Sequence, residues 1–313
     1  MRPATLLISV VSPVYRSEAC VNELYQRLTA VLRPLTEDYE ILLVEDGSPD
    51  ESWERITAIA ARDPKVVAIQ LSRNFGQHRA IAAGLTASRG RYIVVMDCDL
   101  QDPPEFIPQL LERMQAGYDI VYTERQSRVH PAFKRLTSYL FCLLLNALAP
   151  LAAPPERGAF SMISRQVVDA YLQVTDVHQY YLAVLHWLGF RSTCIKIPHA
   201  PRFAGGSTYS VGKLLSLGFN AIVSHSTRLL HFSTAMGLLF AVFAGVQICY
   251  LIYRKFAHSI SIDGWASLMA TLWLVGGAIL FSLGVMGLYL GRMFEHTRRR
   301  PLFIVREQRN GEP

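Results

Sequence analysis

Along the first 125 positions, short apolar runs alternate with amphipathic stretches of helical length. Strands are predicted at Leu6–Val11, Glu40–Val44, Val66–Leu71, Tyr92–Met96 and Ile120–Tyr122, with helices between them at Glu18–Leu32, Asp50–Ala61 and Gln77–Ser88. Ser48-Pro49-Asp50-Glu51 has the form of a helix start, with Pro in the first turn and acids near the positive dipole end. Near-continuous apolar strands separated by helices predict an α/β domain, its mostly parallel sheet covered on both faces.

Further along, the pattern changes. Leu229–Tyr253 and Gly264–Gly291 contain no Asp, Glu, Lys or Arg, and each exceeds the roughly 20 residues that cross a bilayer. Two such runs joined by a short polar loop predict a membrane hairpin; buried core helices are the plain alternative. Leu136–Ala153 is also uncharged, but it holds Ser138, Asn146 and Pro150 and follows Lys134-Arg135. That composition fits an amphipathic helix lying in the interface. Tyr209–Arg228 is a second segment of this kind. The organisation expected is therefore 1–125 as a sheet core, 126–228 as an acceptor region with interfacial helices, 229–291 as the hairpin, and 292–313 as a basic tail following the membrane surface.

Composition sharpens this picture. The 313 residues are 51% hydrophobic and 18% charged, with a net charge of +6. The basic residues gather around the apolar spans, so the charge points to anionic headgroups and anionic substrates rather than nucleic acid. The loop 254–263 carries Arg254 and Lys255, whereas the outer flanks carry Lys213, Arg228, Arg292, Arg298, Arg299, Arg300 and Arg306. By the positive-inside rule both termini lie in the cytosol. Leu6–Val11 has no cleavage pattern after it and is expected to be a strand, not a signal peptide. Five scattered cysteines without a C-x-x-C pair indicate a reduced, cytosolic domain.

Two acidic strand ends carry the candidate chemistry. Arg91–Met96 leads into Asp97-Cys98-Asp99-Leu100-Gln101-Asp102-Pro103-Pro104, and Glu40–Val44 leads into Glu45-Asp46-Gly47-Ser48. Carboxylates one residue apart at the carboxyl edge of a sheet can grip a divalent cation and a diphosphate. An isolated Asp-x-Asp is often a mere surface turn. Here Gln101, the Pro-Pro turn and the second acidic end set it apart. Alternation turns Cys98 away from both aspartates, toward packing.

These segments, with Pro13-Val14-Tyr15, Leu71-Ser72-Arg73-Asn74-Phe75-Gly76-Gln77-His78, Gly117-Tyr118-Asp119-Ile120-Val121-Tyr122 and Gly287-Leu288-Tyr289-Leu290-Gly291-Arg292, closely resemble the family 2 glycosyltransferases that act on polyprenyl phosphates. That group includes dolichol-phosphate mannose synthase, bactoprenol glucosyltransferases and undecaprenyl-phosphate aminoarabinose transferases. The resemblance covers nearly the whole chain. It implies a GT-A (Rossmann-like) fold, a cytosolic active site, two C-terminal transmembrane helices in the inner membrane, and a homo-oligomer, often a tetramer. Pro13, Tyr15 and Asp46 would line the nucleotide pocket. Asp97, Asp99 and Gln101 would hold Mg²⁺ or Mn²⁺ on the donor diphosphate, with Arg73 and Asn74 close by. Arg125 and Arg202 would meet the acceptor phosphate and the diphosphate. His78 matches the aminoarabinose branch, with helix capping or packing as its plain role.

The chain departs from the pattern at three places. The usual Pro-x-Tyr-Asn-Glu puts Ser17 where Glu is expected, with Glu18 one place later. Gly158-Ala159-Phe160-Ser161-Met162 lacks the Asp often assigned as base and its neighbouring Arg; Thr208 stands where a Lys is usual. Glu156 could substitute as the carboxylate, or be a solvated loop acid. A phosphate nucleophile with a second pKa near ~6 is mostly dianionic in cytosol, so a general base, worth about 10²–10⁴-fold, is dispensable. The expectation is an inverting transferase that moves one sugar from a UDP-sugar to undecaprenyl phosphate for cell-envelope glycan modification, including lipopolysaccharide. The rivals are a nucleotide-sugar-binding scaffold without activity and a processive synthase, whose Gln-x-x-Arg-Trp signature is absent.

Overall fold

The structure, a computed structural model, describes residues 6–125, 157–174, 180–198, 228–257, 264–298 and 300–311. Its centre is an 8-stranded sheet in the order β7-β5-β6-β4-β1-β2-β3-β8. The strands are β1 Leu6–Val14, β2 Tyr39–Glu45, β3 Val66–Leu71, β4 Gly90–Val95, β5 Ile120–Arg125, β6 Arg157–Ser164, β7 Ser192–Ile197 and β8 Val305–Arg309. β1 pairs in parallel with β2 and β4, β2 with β3, and β5 with β7. β6 runs antiparallel between β4 and β5, and β8 antiparallel to β3.

Alternation along the strands builds two apolar layers. Ile41 and Leu43 of β2 enter one core with α1 (Glu18–Leu32), α2 (Ser52–Ala60) and α4 (Ile107–Gln115). Leu42 and Val44 enter the other with α3 (Gln77–Ala87), α5 (Arg165–Gln173) and α6 (Tyr181–Trp187). Every residue of β2 is buried, which explains its unbroken apolar run. Glu40, one of two acids in the strand, is fully engaged. It accepts Ser9 Oγ at 2.6 Å, the Arg89 amide at 2.7 Å and the Arg89 guanidinium at 3.0 Å, so its charge is paired where burial would otherwise cost several kcal/mol. This clasp sits at the amino ends of the parallel strands, opposite the acidic strand ends.

The sheet extends beyond the predicted core. Arg157–Ser164, Ser192–Ile197 and Val305–Arg309 are strands although their sequences carry no clean apolar alternation. The C-terminal residues expected along the membrane surface are instead tied to the sheet. Ser72 N donates to Ile304 O at 2.9 Å, Phe303 packs on the second core, and Asn310 Nδ2 donates to Ala60 O and Val66 O at 2.5 and 3.1 Å. α2 starts at Ser52 rather than Asp50. The segments 136–153 and most of 209–228, expected as interfacial helices, lie outside the described residues.

A second unit is formed by α7 (Arg228–Ala257) and α8 (Trp265–Thr297). They pack on each other, and Leu230–Gln247 and Thr271–Gly291 are long and apolar enough to cross a membrane, with only 6% of each stretch buried. Among the described residues, nothing beyond the helix's own backbone lies within 4 Å of where a Cβ would stand on Gly287 or Gly291.

Candidate active site

Strand order reverses at β1, whose neighbours are β2 on one side and β4 on the other. Open α/β sheets bind ligands at the carboxyl ends flanking such a switch point. β1 ends there at Val14, β2 at Glu45, β3 at Leu71 and β4 at Val95. Pro13, Tyr15, Asp46, Arg73, Asp97, Asp99 and Gln101 therefore share one edge.

Tyr15 is 42% exposed, and the Arg16 guanidinium lies 5.5 Å from its ring centre. Arg16 adopts a left-handed φ of 51°, and its N–H donates to Ser48 Oγ at 2.8 Å. The end of β1 is thus fastened to the turn after β2.

Asp46 is buried. Its Oδ1 accepts the Phe75 N–H at 2.7 Å and its Oδ2 the Gly76 N–H at 2.9 Å. Burial raises its pKa, opposed by these two bonds and by the positive charges of Arg79 and Arg73. Arg73 in turn stacks over Phe75 at 4.3 Å. Glu45, also buried, accepts the Ser48 N–H, and burial lifts its pKa as well. Gly47 follows with φ +62°, and a Cβ there would meet Asn74 N at 2.3 Å. Only glycine lets the 73–74 backbone pass this close.

Asp97 and Asp99 are half-buried, while Cys98 and Leu100 are buried, as alternation predicts. Burial, followed by Cys20 and the nearby aspartates, raises the Cys98 pKa well above normal, so it stays a thiol and packs. Leu100 takes a left-handed φ of 59°, a conformation that costs a branched residue about 1–2 kcal/mol and is held by its buried side chain. That turn lets Gln101 N donate to Asp99 Oδ1 at 3.2 Å. From α3, Gln77 Nε2 donates to Asp97 Oδ1 at 2.5 Å.

The donor set suits a hard cation, since it consists of carboxylate and amide oxygens. Among the described residues no group of three or more His, Cys, Asp or Glu gathers into a closed metal cage. Asp97, Asp99 and Gln101 fit an open site, whose remaining ligands would be diphosphate and water.

Other expected site residues are placed differently. Glu18 Oε2 accepts Glu51 N at 3.0 Å, which commits that carboxylate to joining α1 and α2. Asp50, expected only as part of a helix start, accepts the first amide of both helices. Its Oδ1 accepts Ser52 N (3.3 Å) and Ser52 Oγ (2.7 Å), and its Oδ2 accepts Glu18 N (3.2 Å). Burial pushes the Asp50 pKa up, but these bonds and one from Ser48 bring it below normal. His78 packs edge-to-face on Tyr180, with centroids 4.6 Å apart at 67°, and burial lowers its pKa to about 4. It is neutral at cytosolic pH, unable to attract phosphate by charge. Arg125 closes β5 at the same sheet edge. Glu156 and Arg202 lie outside the described residues.

The altered Gly-Ala-Phe-Ser segment lies in β6. Tyr92 pairs with Ser164 and Val95 with Ser161, and Ala159 lies two residues before Ser161 on β6, where the pairing with β5 is irregular. Ser161 is fully buried and shares a 3.0 Å hydrogen bond with the Tyr181 hydroxyl, a packing role. Gln77 was missed as a partner of Asp97. Its place in the Phe75-Gly76-Gln77 motif was the available signal, but only the folded chain brings it to β4.

Residues 9–172 match the model of glycosyl transferase family 2. The chain belongs to this family. It is 37% identical over 310 residues to the undecaprenyl-phosphate 4-deoxy-4-formamido-L-arabinose transferase of Pseudomonas paraeruginosa, covering 97% of this chain and 91% of that one. It is 35% identical over 300 residues to an uncharacterized glycosyltransferase of Bacillus subtilis, covering 96% and 93%. Among solved structures, glucosyl-3-phosphoglycerate synthase of Mycobacterium tuberculosis, crystallised with Mn²⁺, UDP and phosphoglyceric acid, superposes with a TM-score of 0.51 at 20% identity, over 71% of this chain and 78% of that one. The fold is accordingly GT-A, and the chain is a glycosyltransferase.

Proposed function

We propose that this transferase moves a single sugar, with inversion, from a UDP-sugar to undecaprenyl phosphate at the cytosolic face of the inner membrane. The observation that carries the proposal is the shared edge at the switch point, where the buried acceptor Asp46 and the carboxylates Asp97 and Asp99 stand either side of β1. Such an edge suits a nucleoside on one side and a diphosphate on the other. The acceptor is supported by the full-length similarity to transferases named for undecaprenyl phosphate, and by two helices of bilayer length. α7 and α8 would span the membrane with both termini in the cytosol.

In this reading Tyr15 stacks on the nucleobase while Pro13 and Asp46 shape the pocket. Arg73 neutralises diphosphate charge. Asp97, Asp99 and Gln101 would hold Mg²⁺ or Mn²⁺, which supplies charge compensation for departing UDP. Arg125 and Arg202 orient the two anions that must approach each other. The acceptor phosphate attacks the anomeric carbon without a protein base as UDP departs, in keeping with an alanine at 159 where the resemblance leads one to expect an Asp.

Purified protein in detergent, given radiolabelled UDP-sugars, Mn²⁺ and undecaprenyl phosphate, tests this. Labelled lipid monophosphosugar supports it. Binding of UDP-sugar without turnover would make the chain a scaffold, and labelled polymer would make it a processive synthase.

A further inference from the structure

We propose that Gln77 is a positioning residue for Asp97, and that the strap Phe75-Gly76-Gln77 makes the nucleoside pocket and the cation site respond to each other. The inference rests on the function proposed above and concerns how its two subsites communicate.

Three consecutive residues bridge the switch point. Phe75 N and Gly76 N donate to the two oxygens of Asp46, at 2.7 and 2.9 Å. The next side chain donates to Asp97 Oδ1 at 2.5 Å. Gly76 is the N-cap of α3 at φ 97° and ψ 150°, a conformation favoured by glycine alone, so the strap makes its bend at a fixed point. Asp46 is rigidly held by burial and by paired donors. Gln77 is less confined: its side chain is exposed. Its contact is the amide bond to Asp97.

Such a bond fixes the rotation of a ligating carboxylate. Partners that orient a metal ligand in this way commonly change metal affinity by about 10–100-fold when removed. Because the strap is short and anchored at both ends, ordering of one end by a ligand orders the other. Any such coupling is reciprocal.

Uridine is the discriminating probe. It lacks the diphosphate, so it cannot touch the cation, and any effect of uridine on Mn²⁺ affinity must pass through protein. Mn²⁺ binding to the full-length protein in detergent is measured by electron paramagnetic resonance, with and without uridine, for wild type and Gln77→Met. Methionine keeps the length and removes the donor; Gln77→Ala serves the same purpose should the first variant misfold, as judged by circular dichroism. The expected result is tighter Mn²⁺ binding with uridine in wild type, about tenfold weaker Mn²⁺ binding in Gln77→Met, and no uridine effect in the variant. Uridine affinity measured without Mn²⁺ stays within twofold. Mn²⁺ affinity unchanged in both variants, or wild-type Mn²⁺ affinity indifferent to uridine, overturns the inference while lipid-product formation leaves the transferase reading standing. A wild type that binds neither Mn²⁺ nor UDP overturns both.

Discussion

Gly47 lies against the peptide that joins Arg73 to Asn74, with room for no side chain: a Cβ would stand 2.3 Å from Asn74 N and 2.5 Å from the Arg73 carbonyl carbon. Both obstacles are backbone, so no rotamer change relieves them. Gly47→Ala also strains a φ of +62°, by about 1 kcal/mol. We expect the 73–74 loop to shift, UDP affinity measured by calorimetry to fall at least tenfold, and the Tm to drop by several degrees. Wild-type UDP affinity in this variant would show that the close approach is irrelevant to the donor.

Asp97→Ala with Asp99→Ala removes both carboxylates proposed to hold the cation. Loss of several kcal/mol of charge compensation should lower turnover about 10³-fold or more and abolish Mn²⁺ binding. EDTA should do the same to the wild type. Turnover that survives both treatments is incompatible with the site described.

Asp50→Ala removes, in one substitution, the carboxylate that accepts the first amides of α1 and α2 in the manner of a cap. A lost cap costs ~1 kcal/mol, so about 2 kcal/mol is expected. The Asp50 pKa lies below its unfolded value, so its contribution is complete above the ordinary carboxylate range and fades as pH falls through the folded value. Thermal melts from pH 7 to pH 3 should show a shallower acid decline in the variant.

His78 acts in a different window. Its folded pKa of about 4 lies below the usual ~6.5, so between these values the unfolded chain binds the extra proton. Stability is therefore lost as pH falls from ~6.5 toward ~4, by up to about 3 kcal/mol. His78→Leu should flatten that segment of the pH–Tm curve, and an unchanged curve would place the imidazole in solvent.

Asn310 is in the left-handed region at φ 59°, and its amide closes the carbonyl end of α2 and the start of β3. Asn310→Ala should cost roughly 1–3 kcal/mol, read as a lower Tm, while UDP affinity measured by calorimetry remains as in wild type.

Much of this molecule is legible before folding. The five strands from β1 to β5 announce themselves because burial on both faces demands continuous apolar runs. α7 and α8 do so because each carries a long apolar run free of charged residues. The position of Asp46, Asp97 and Asp99 at the carboxyl edge of the sheet is legible because each closely follows an apolar strand run. β8 is not legible: Val305-Arg306-Glu307-Gln308-Arg309 sits at the sheet edge with its side chains exposed or half-buried, and an edge strand needs backbone partners more than apolar side chains. The engagement of Glu18 is not legible either: Asp50 and Glu51, 32 and 33 residues away, take up its backbone amide and its carboxylate. The Gln77–Asp97 bond could not be read from spacing at all, since helix and strand meet only after the sheet closes.

The late position of β8 also sets a schedule for assembly. β3 is synthesised early, whereas its outer partner leaves the ribosome only after both long apolar helices, at typical speeds roughly 10–50 s later. Throughout that interval one flank of the nascent sheet carries unsatisfied amides next to Ser72. The outermost strand of the sheet is thereby added only after both long apolar helices have been made.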